Sequence, residues 1–274
     1  KLLDLEPIEE NIFRGLSPDE NRQRVFGGQV AGQALVAAAR TVTPERSVHS
    51  LHAYFLRPGD PNRPILYNVD RIRDGKSFTT RRVVAIQHGK AIFNLAASFQ
   101  VHEPGLEHQR AMPQGLPGPD DLPDFKTRMA PYRTMLGDWY ERPRPIDTRH
   151  VDAGPLERSG EPSPVQRVWL RADGRLPDDP VLHACVVTYA SDMTLLDSTL
   201  LAHGINWHEC EIQMASLDHA MWFHRPFRAD EWLLYDQAAQ STSNARGLAS
   251  GSIFTADGQL VVSVMQEGLI RVGR

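Results

Sequence analysis

Tyr54-Phe55-Leu56-Arg57-Pro58 and Trp222-Phe223-His224-Arg225-Pro226 share one pattern: aromatic, Phe, any residue, Arg, Pro. The copies lie 168 residues apart. Two later turn glycines, Gly89 in His88-Gly89-Lys90 and Gly258 in Asp257-Gly258-Gln259, lie 169 apart. Two unrelated landmarks that keep nearly one offset indicate an internal duplication. Each copy opens the same succession of β-rich segments, with a glycine turn before the last. In the first half these are about 49–57, 65–73, 78–87 and 91–101. In the second they are about 216–225, 232–241, 247–254 and 259–270.

Upstream of each strand set lies one helical candidate, apolar on most of its faces as a helix enclosed by other structure would be. The first runs from Gly28 to about Arg40. The second takes Asp179 as N-cap and Pro180 at its first position, a strong start signal, and continues to about residue 191. One helix followed by an antiparallel sheet large enough to wrap it, present twice, is an α+β chain of double hot-dog type. The span 104–164 holds 11 of the 20 prolines, which disfavour helix interiors and central strands. The expected organisation is therefore an N-terminal unit over 1–103, a connector over 104–164 and a C-terminal unit over 165–274. Within the connector, 127–140 reads as a short helix and 148–152 as a strand.

Composition narrows the function classes. At 274 residues, two domains with real cores are affordable by length. A net charge of −4 gives no basic footprint for a nucleic-acid partner. Apolar runs such as 34–39 and 260–265 are far shorter than a membrane span, and the first residues lack the order of a secretory signal. Cys185 and Cys210 have neither the number nor the spacing of a disulfide framework or zinc site, so both read as free thiols in a reducing cytoplasm. No metal is expected: no His-Glu-x-x-His occurs, and His49 and His52, three apart in a strand, should face opposite ways. Neither a Gly-x-Ser-x-Gly elbow nor a phosphate-binding loop is present. No cofactor is implied.

Three segments carry a specific resemblance: Arg24-Val25-Phe26-Gly27-Gly28-Gln29-Val30-Ala31-Gly32-Gln33-Ala34, Leu217-Asp218-His219-Ala220-Met221-Trp222-Phe223-His224-Arg225-Pro226-Phe227 and Gln266-Glu267-Gly268-Leu269-Ile270-Arg271. In this order they resemble the type II acyl-CoA thioesterases, the family of bacterial thioesterase II and its peroxisomal relatives. The resemblance implies hydrolysis of an acyl-CoA substrate by a homo-oligomer, a dimer or tetramer, and the free thiols place the expected protein in the cytoplasm. It also implies catalysis by an Asp, a Ser or Thr, and a Gln, which map onto Asp192, Ser216 and Gln266. Thioester hydrolysis needs a positioned water, an acceptor for its proton and donors for the developing oxyanion. Asp192 follows the C-terminal end of a helix, where the dipole disfavours ionisation. Ser216 is expected to open a strand and Gln266 to lie along the last one.

The Gly27-Gly28 pair at the first helix start offers N–H groups, from Gly28 or Gln29, to an oxyanion. The helix starts are 152 residues apart and the strands that follow are 168 apart, so about 16 extra residues fall within 193–215. Inserted beside two site residues, this loop is expected to shape the substrate pocket. Arg57 and Arg225 occur in both halves, although only the second half holds the polar trio, which favours a bracing role over contact with CoA phosphates. Two alternatives remain at this point. A non-catalytic acyl-CoA sensor would keep the pocket without the trio. A hot-dog hydratase or dehydratase would use His219 beside Asp218.

Overall fold

The computed structural model describes residues 2–18, 23–154, 156–157, 161–205 and 211–273. In chain order the elements are β1 (Glu6–Glu9), β2 (Ile12–Gly15), helix α1 (Gly27–Ala39), β3 (Arg46–Phe55), β4 (Ile65–Asp74), β5 (Phe78–Gln87) and β6 (Lys90–Val101). After the connector come β7 (Ile146–His150), β8 (Val165–Ala172), helix α2 (Pro180–Ser191), helix α3 (Asp197–Leu201), β9 (Ile212–Ser216), β10 (Asp218–Phe223), β11 (Leu233–Ser243), β12 (Arg246–Thr255) and β13 (Leu260–Val272).

The strands form one continuous antiparallel sheet. Its order is β1-β2-β4-β5-β6-β3 through the first half and β10-β13-β12-β11-β8-β7 through the second, with β9 beside β10 on β13. The halves join where β3 pairs with β10, Leu51 opposite Met221 and Ala53 opposite His219. Both turn glycines have the positive φ their position demands, +69° at Gly89 and +92° at Gly258.

Inside the sheet, α1 and α2 pack side by side. Gly28 and Gly32 make this possible: a Cβ on Gly28 would stand 2.3 Å from the Tyr189 carbonyl oxygen, and one on Gly32 would stand 3.1 Å from that of Cys185. Phe26 and Tyr189 close the crossing edge to face at 5.1 Å. Asp179 caps α2 as expected, accepting from the N–H groups of Val181 (2.9 Å) and Leu182 (3.4 Å), a contribution of about 1 kcal/mol. Cys185 is buried at the crossing, where desolvation holds its thiol protonated, and Cys210 lies outside the described residues.

Three expectations are corrected. The helix expected over 127–140 is a chain of short turns, 125–129, 130–132, 133–136 and 138–141, interrupted by Pro131 and by Gly137 at φ +52°. Ser216 ends β9 instead of opening a longer strand, because β13 pairs first with β9 and then with β10. Between the two, Leu217 N–H donates to Glu267 O and the Asp218 carboxylate accepts from Glu267 N–H. His49 and His52 do not face opposite ways. The β3–β6 register slips between Val48 and Ser50, and the slip turns His49 outward to Ser98 Oγ (2.8 Å) and Phe78, on the outer face that also carries the exposed His52. The strand expected within the connector over 148–152 is present as β7, two residues earlier, and pairs with β8 at the sheet's edge.

Candidate active site

Asp192 is the residue on which α2 ends. Its φ of −88° and ψ of 0° lie in the sparsely populated bridge region, which turns the side chain out of the helix line. Gln266 reaches it from β13, Nε2 donating to Oδ1 at 2.5 Å, and Ser216 reaches it from the end of β9, Oγ donating to the same oxygen at 3.2 Å. The structure thus brings together the three side chains singled out from the sequence, from three elements more than 20 residues apart in the chain.

A fourth donor comes from the other half. The Gly28 N–H at the start of α1 bonds to the Asp192 carboxylate. First-turn amides have no carbonyl partner within their helix, and the positive end of the helix favours an anion there. Gly27 is what allows the approach: a Cβ at that position would stand 2.7 Å from Asp192 Oδ2 and 2.7 Å from the Phe55 ring. Burial nonetheless dominates, raising the Asp192 pKa to about 6 against the three donors that lower it. The direction is the one expected from the sequence, but its leading cause is desolvation, where the sequence suggested the helix dipole.

The carboxylate opens on a cavity of about 490 Å³ between the halves. Phe26, Val30, Phe55 and Phe93 line it from the N-terminal half; Leu196, Met214, Ala215 and Ser216 line it from the C-terminal half. The inserted span 193–215 therefore supplies part of the wall, as expected, and within it lies α3, which the sequence did not suggest. Gly27 lines the cavity, whereas Gly28 spends its N–H on Asp192 and the Gln29 side chain turns away to Ser17 Oγ (3.0 Å). Gln266 is fully buried behind Asp192 and is not part of the wall.

His219 is also fully buried, with Nε2 2.8 Å from Ser191 Oγ, and does not line the cavity. Desolvation lowers its pKa to about 4, so the ring is neutral. A hydratase role for this imidazole at the substrate carbons is not supported by that placement. Arg57 and Arg225 make the same contact in each half, Arg57 donating to Ala91 O (2.6 Å) and Arg225 to Leu260 O (3.0 Å), each just past the corresponding turn glycine. Both contacts brace a hairpin, and Arg57, unlike Arg225, also lines the cavity.

Comparison with known proteins agrees with this architecture. A family model described as acyl-CoA thioesterase matches residues 145–269, and one described as acyl-CoA thioesterase N-terminal domain matches 17–100. Acyl-coenzyme A thioesterase 8 of Homo sapiens is 43% identical over 99% of this chain and 88% of its own length. This chain belongs to the type II acyl-CoA thioesterase family. Acyl-CoA thioesterase 2 of Haemophilus influenzae is 39% identical over 98% of the chain and 96% of its own. The crystal structure of an acyl-CoA thioesterase II, TesB2, from Mycobacterium marinum superposes with a TM-score of 0.82 at 50% identity, covering 99% and 97% of the two chains. A dehydratase domain of PpsC from Mycobacterium tuberculosis shares only the fold, at 14% identity and a TM-score of 0.54. The fold of this thioesterase is a double hot-dog.

Proposed function

We propose that this acyl-CoA thioester hydrolase cleaves fatty acyl-CoA by attack of a water activated at Asp192, releasing the free fatty acid and CoA. The observation that carries the reading is a buried carboxylate, held by Gln266, Ser216 and the α1 N-terminus, that opens on a mainly apolar cavity with Arg24 and Arg57 in its lining. Oδ1 takes both side-chain donors, which leaves Oδ2, beside Gly27 at the cavity wall, to accept the proton of the water. Ser216, in the wall, orients that water, and Gln266 orients the carboxylate. The thioester carbonyl is polarised by the first-turn amides of α1, the Gln29 N–H among them, where the helix end favours developing negative charge. A pKa near 6 suits a base that must be ionised at neutral pH and yet bind a proton in the transition state.

In this reading 1–103 and 165–274 are the two hot-dog units, and 104–164, which carries β7, joins them. Residues of the trio come from the second unit, while the first gives α1 and half the cavity wall. An acyl-CoA sensor would need no buried carboxylate with three donors. We place the protein in the cytoplasm, consistent with the buried thiol of Cys185; among the described residues no helix is long and apolar enough to cross a membrane. We assign it a homo-oligomeric state, dimer or tetramer, consistent with the exposed Tyr54, Leu66, Ile72 and Phe78 of the sheet; sedimentation as a monomer would refute this. The test of the activity is thiol release from a panel of acyl-CoAs of increasing chain length by wild type and Asp192→Asn. The variant is expected to lose about 10²-fold or more in kcat with KM kept, as for a lost positioned base. Wild-type turnover would remove Asp192 from the mechanism.

A further inference from the structure

A glutamine amide has two ends, and only one suits Asp192. With Nε2 toward the carboxylate, Gln266 donates; rotated by half a turn it would set Oε1 against Oδ1, oxygen against oxygen. The structure contains a group able to decide between the two. Ala220 of β10 pairs with Met265 of β13, and one step further along this register His219 stands opposite Gln266 on the inward face. Gln266 Oε1 and His219 Nδ1 are both buried, and each is without a hydrogen-bond partner among the described residues. The Gln266 side chain raises the proton affinity of the imidazole against the effect of burial, as a facing acceptor does. On its other side the ring meets Ser191 Oγ at 2.8 Å, a hydroxyl that also lies in position to donate its one proton to Thr188 O at 3.0 Å. Ser191 has one proton for Thr188 O or for Nε2; giving it to Nε2 leaves the neutral ring its own proton on Nδ1 for Oε1, whereas a proton on Nε2 would leave two bare acceptors, Nδ1 and Oε1, buried together.

The first half shows what this pair replaces. There His52 pairs with Ala96 as Ala220 pairs with Met265, so the inward pair equivalent to His219 and Gln266 is Leu51 and Ala97, both apolar. The polar version occurs only beside the carboxylate.

We infer that His219 is a positioning residue whose Nδ1–H fixes the Gln266 amide with its nitrogen toward Asp192, completing a relay from Ser191 through His219 and Gln266 to the carboxylate. The inference rests on the reading of Asp192 as the base, but part of its test does not. In wild-type protein carrying ¹⁵N-histidine, the ring nitrogens of His219 report the tautomer directly. A protonated Nδ1 with an accepting Nε2 is expected, and a protonated Nε2 with a bare Nδ1 would overturn the relay whatever the enzyme's activity.

Kinetics then separate positioning from packing. His219→Leu keeps bulk but no donor and should lower kcat about tenfold at unchanged KM. It should also move the acid limb of the kcat profile to higher pH, because Asp192 loses a firmly held donor. His219→Asn places an amide N–H near the position of Nδ1 and should return both kcat and the limb toward wild type. Equal losses in the two variants, or a His219→Leu enzyme with wild-type kcat and limb, would refute the inference. If His219→Leu does not fold, the tautomer measurement decides alone. Full turnover by Asp192→Asn would instead remove the base itself, an outcome distinct from any of these.

Discussion

At Asp192, burial and hydrogen bonding pull in opposite directions, and the balance is measurable. Desolvation raises the pKa to about 6 while Gln266, Ser216 and the Gly28 N–H lower it, so kcat should fall as pH drops below about 6. Removing one donor by Gln266→Leu should shift that limb to higher pH as well as lower kcat, and a limb that stays in place would show that the amide does not act on the carboxylate. The same shift affects stability. A carboxylate whose pKa rises from 3.8 to about 6 on folding binds more protons folded than unfolded between those values, so its contribution grows more favourable as pH falls through 6. The buried His150 and His219, lowered to about 4, act with the opposite sign: below about 6.5 the unfolded chain takes up their protons and stability is lost. Subtracting Asp192→Asn from wild type cancels the histidines. The difference in unfolding free energy, from denaturant titrations at pH 7.5 and 5, should move in favour of wild type at the lower pH. A change of about 1.4 kcal/mol is the upper bound over this pH window; no change at all would mean that Asp192 titrates alike folded and unfolded.

At the level of elements, the start of α1 joins fold to chemistry, because the glycines that let it cross α2 also bring its amides to the carboxylate. Gly28→Ala would force a Cβ to within 2.3 Å of the Tyr189 carbonyl oxygen, which is backbone and cannot swing away. A loss of about 1–3 kcal/mol in stability is expected, together with a fall in kcat as α1 is displaced from Asp192; thermal melts and thiol release check the two together. Arg225→Ala should behave differently. It frees a hairpin at Leu260 and an ion pair to Glu107 (2.7 Å), so it should lower the melting temperature and leave KM for acyl-CoA unchanged, whereas a raised KM at constant stability would indicate phosphate binding. The elements legible in the sequence were those with a local cause. Asp179 and Pro180 announced α2, and the paired Arg-Pro motifs and turn glycines announced the repeated hairpins. What escaped depended on partners distant in sequence. The break at Leu217 exists because β13 is shared by two strands, and the outward turn of His49 because β3 and β6 slip by one residue. The site trio was legible only through its likeness to a family. An isolated Gln in a strand gives no sign that it faces inward, and the link from His219 to Gln266 emerges only once β10 and β13 are in register.

Across the whole molecule, duplication has left two halves that cannot do without each other. Val48, Leu51 and Ala97 fill the N-terminal half with apolar side chains where the C-terminal half places polar ones, so the chemistry resides in one half. The other half supplies the Gly28 donor, the Phe55 and Phe93 wall and the strand β3 on which β10 pairs. Separated, each half would expose the inner edge of its sheet, with β3 or β10 unpaired, and the glycine-lined face of α1 or the apolar face of α2. Exposed edges and apolar faces of this kind lead to aggregation. Cutting within the connector, between residues 104 and 145, should therefore give two fragments that are insoluble when expressed singly. Co-expressed, they should reassemble into an active thioesterase, because the helix crossing and the β3–β10 seam are formed by side chains and strands that the cut leaves intact. Thiol release by the co-expressed pair, with none from either fragment, is the expected result. Activity in the C-terminal fragment alone would mean that Asp192 needs neither α1 nor the N-terminal wall.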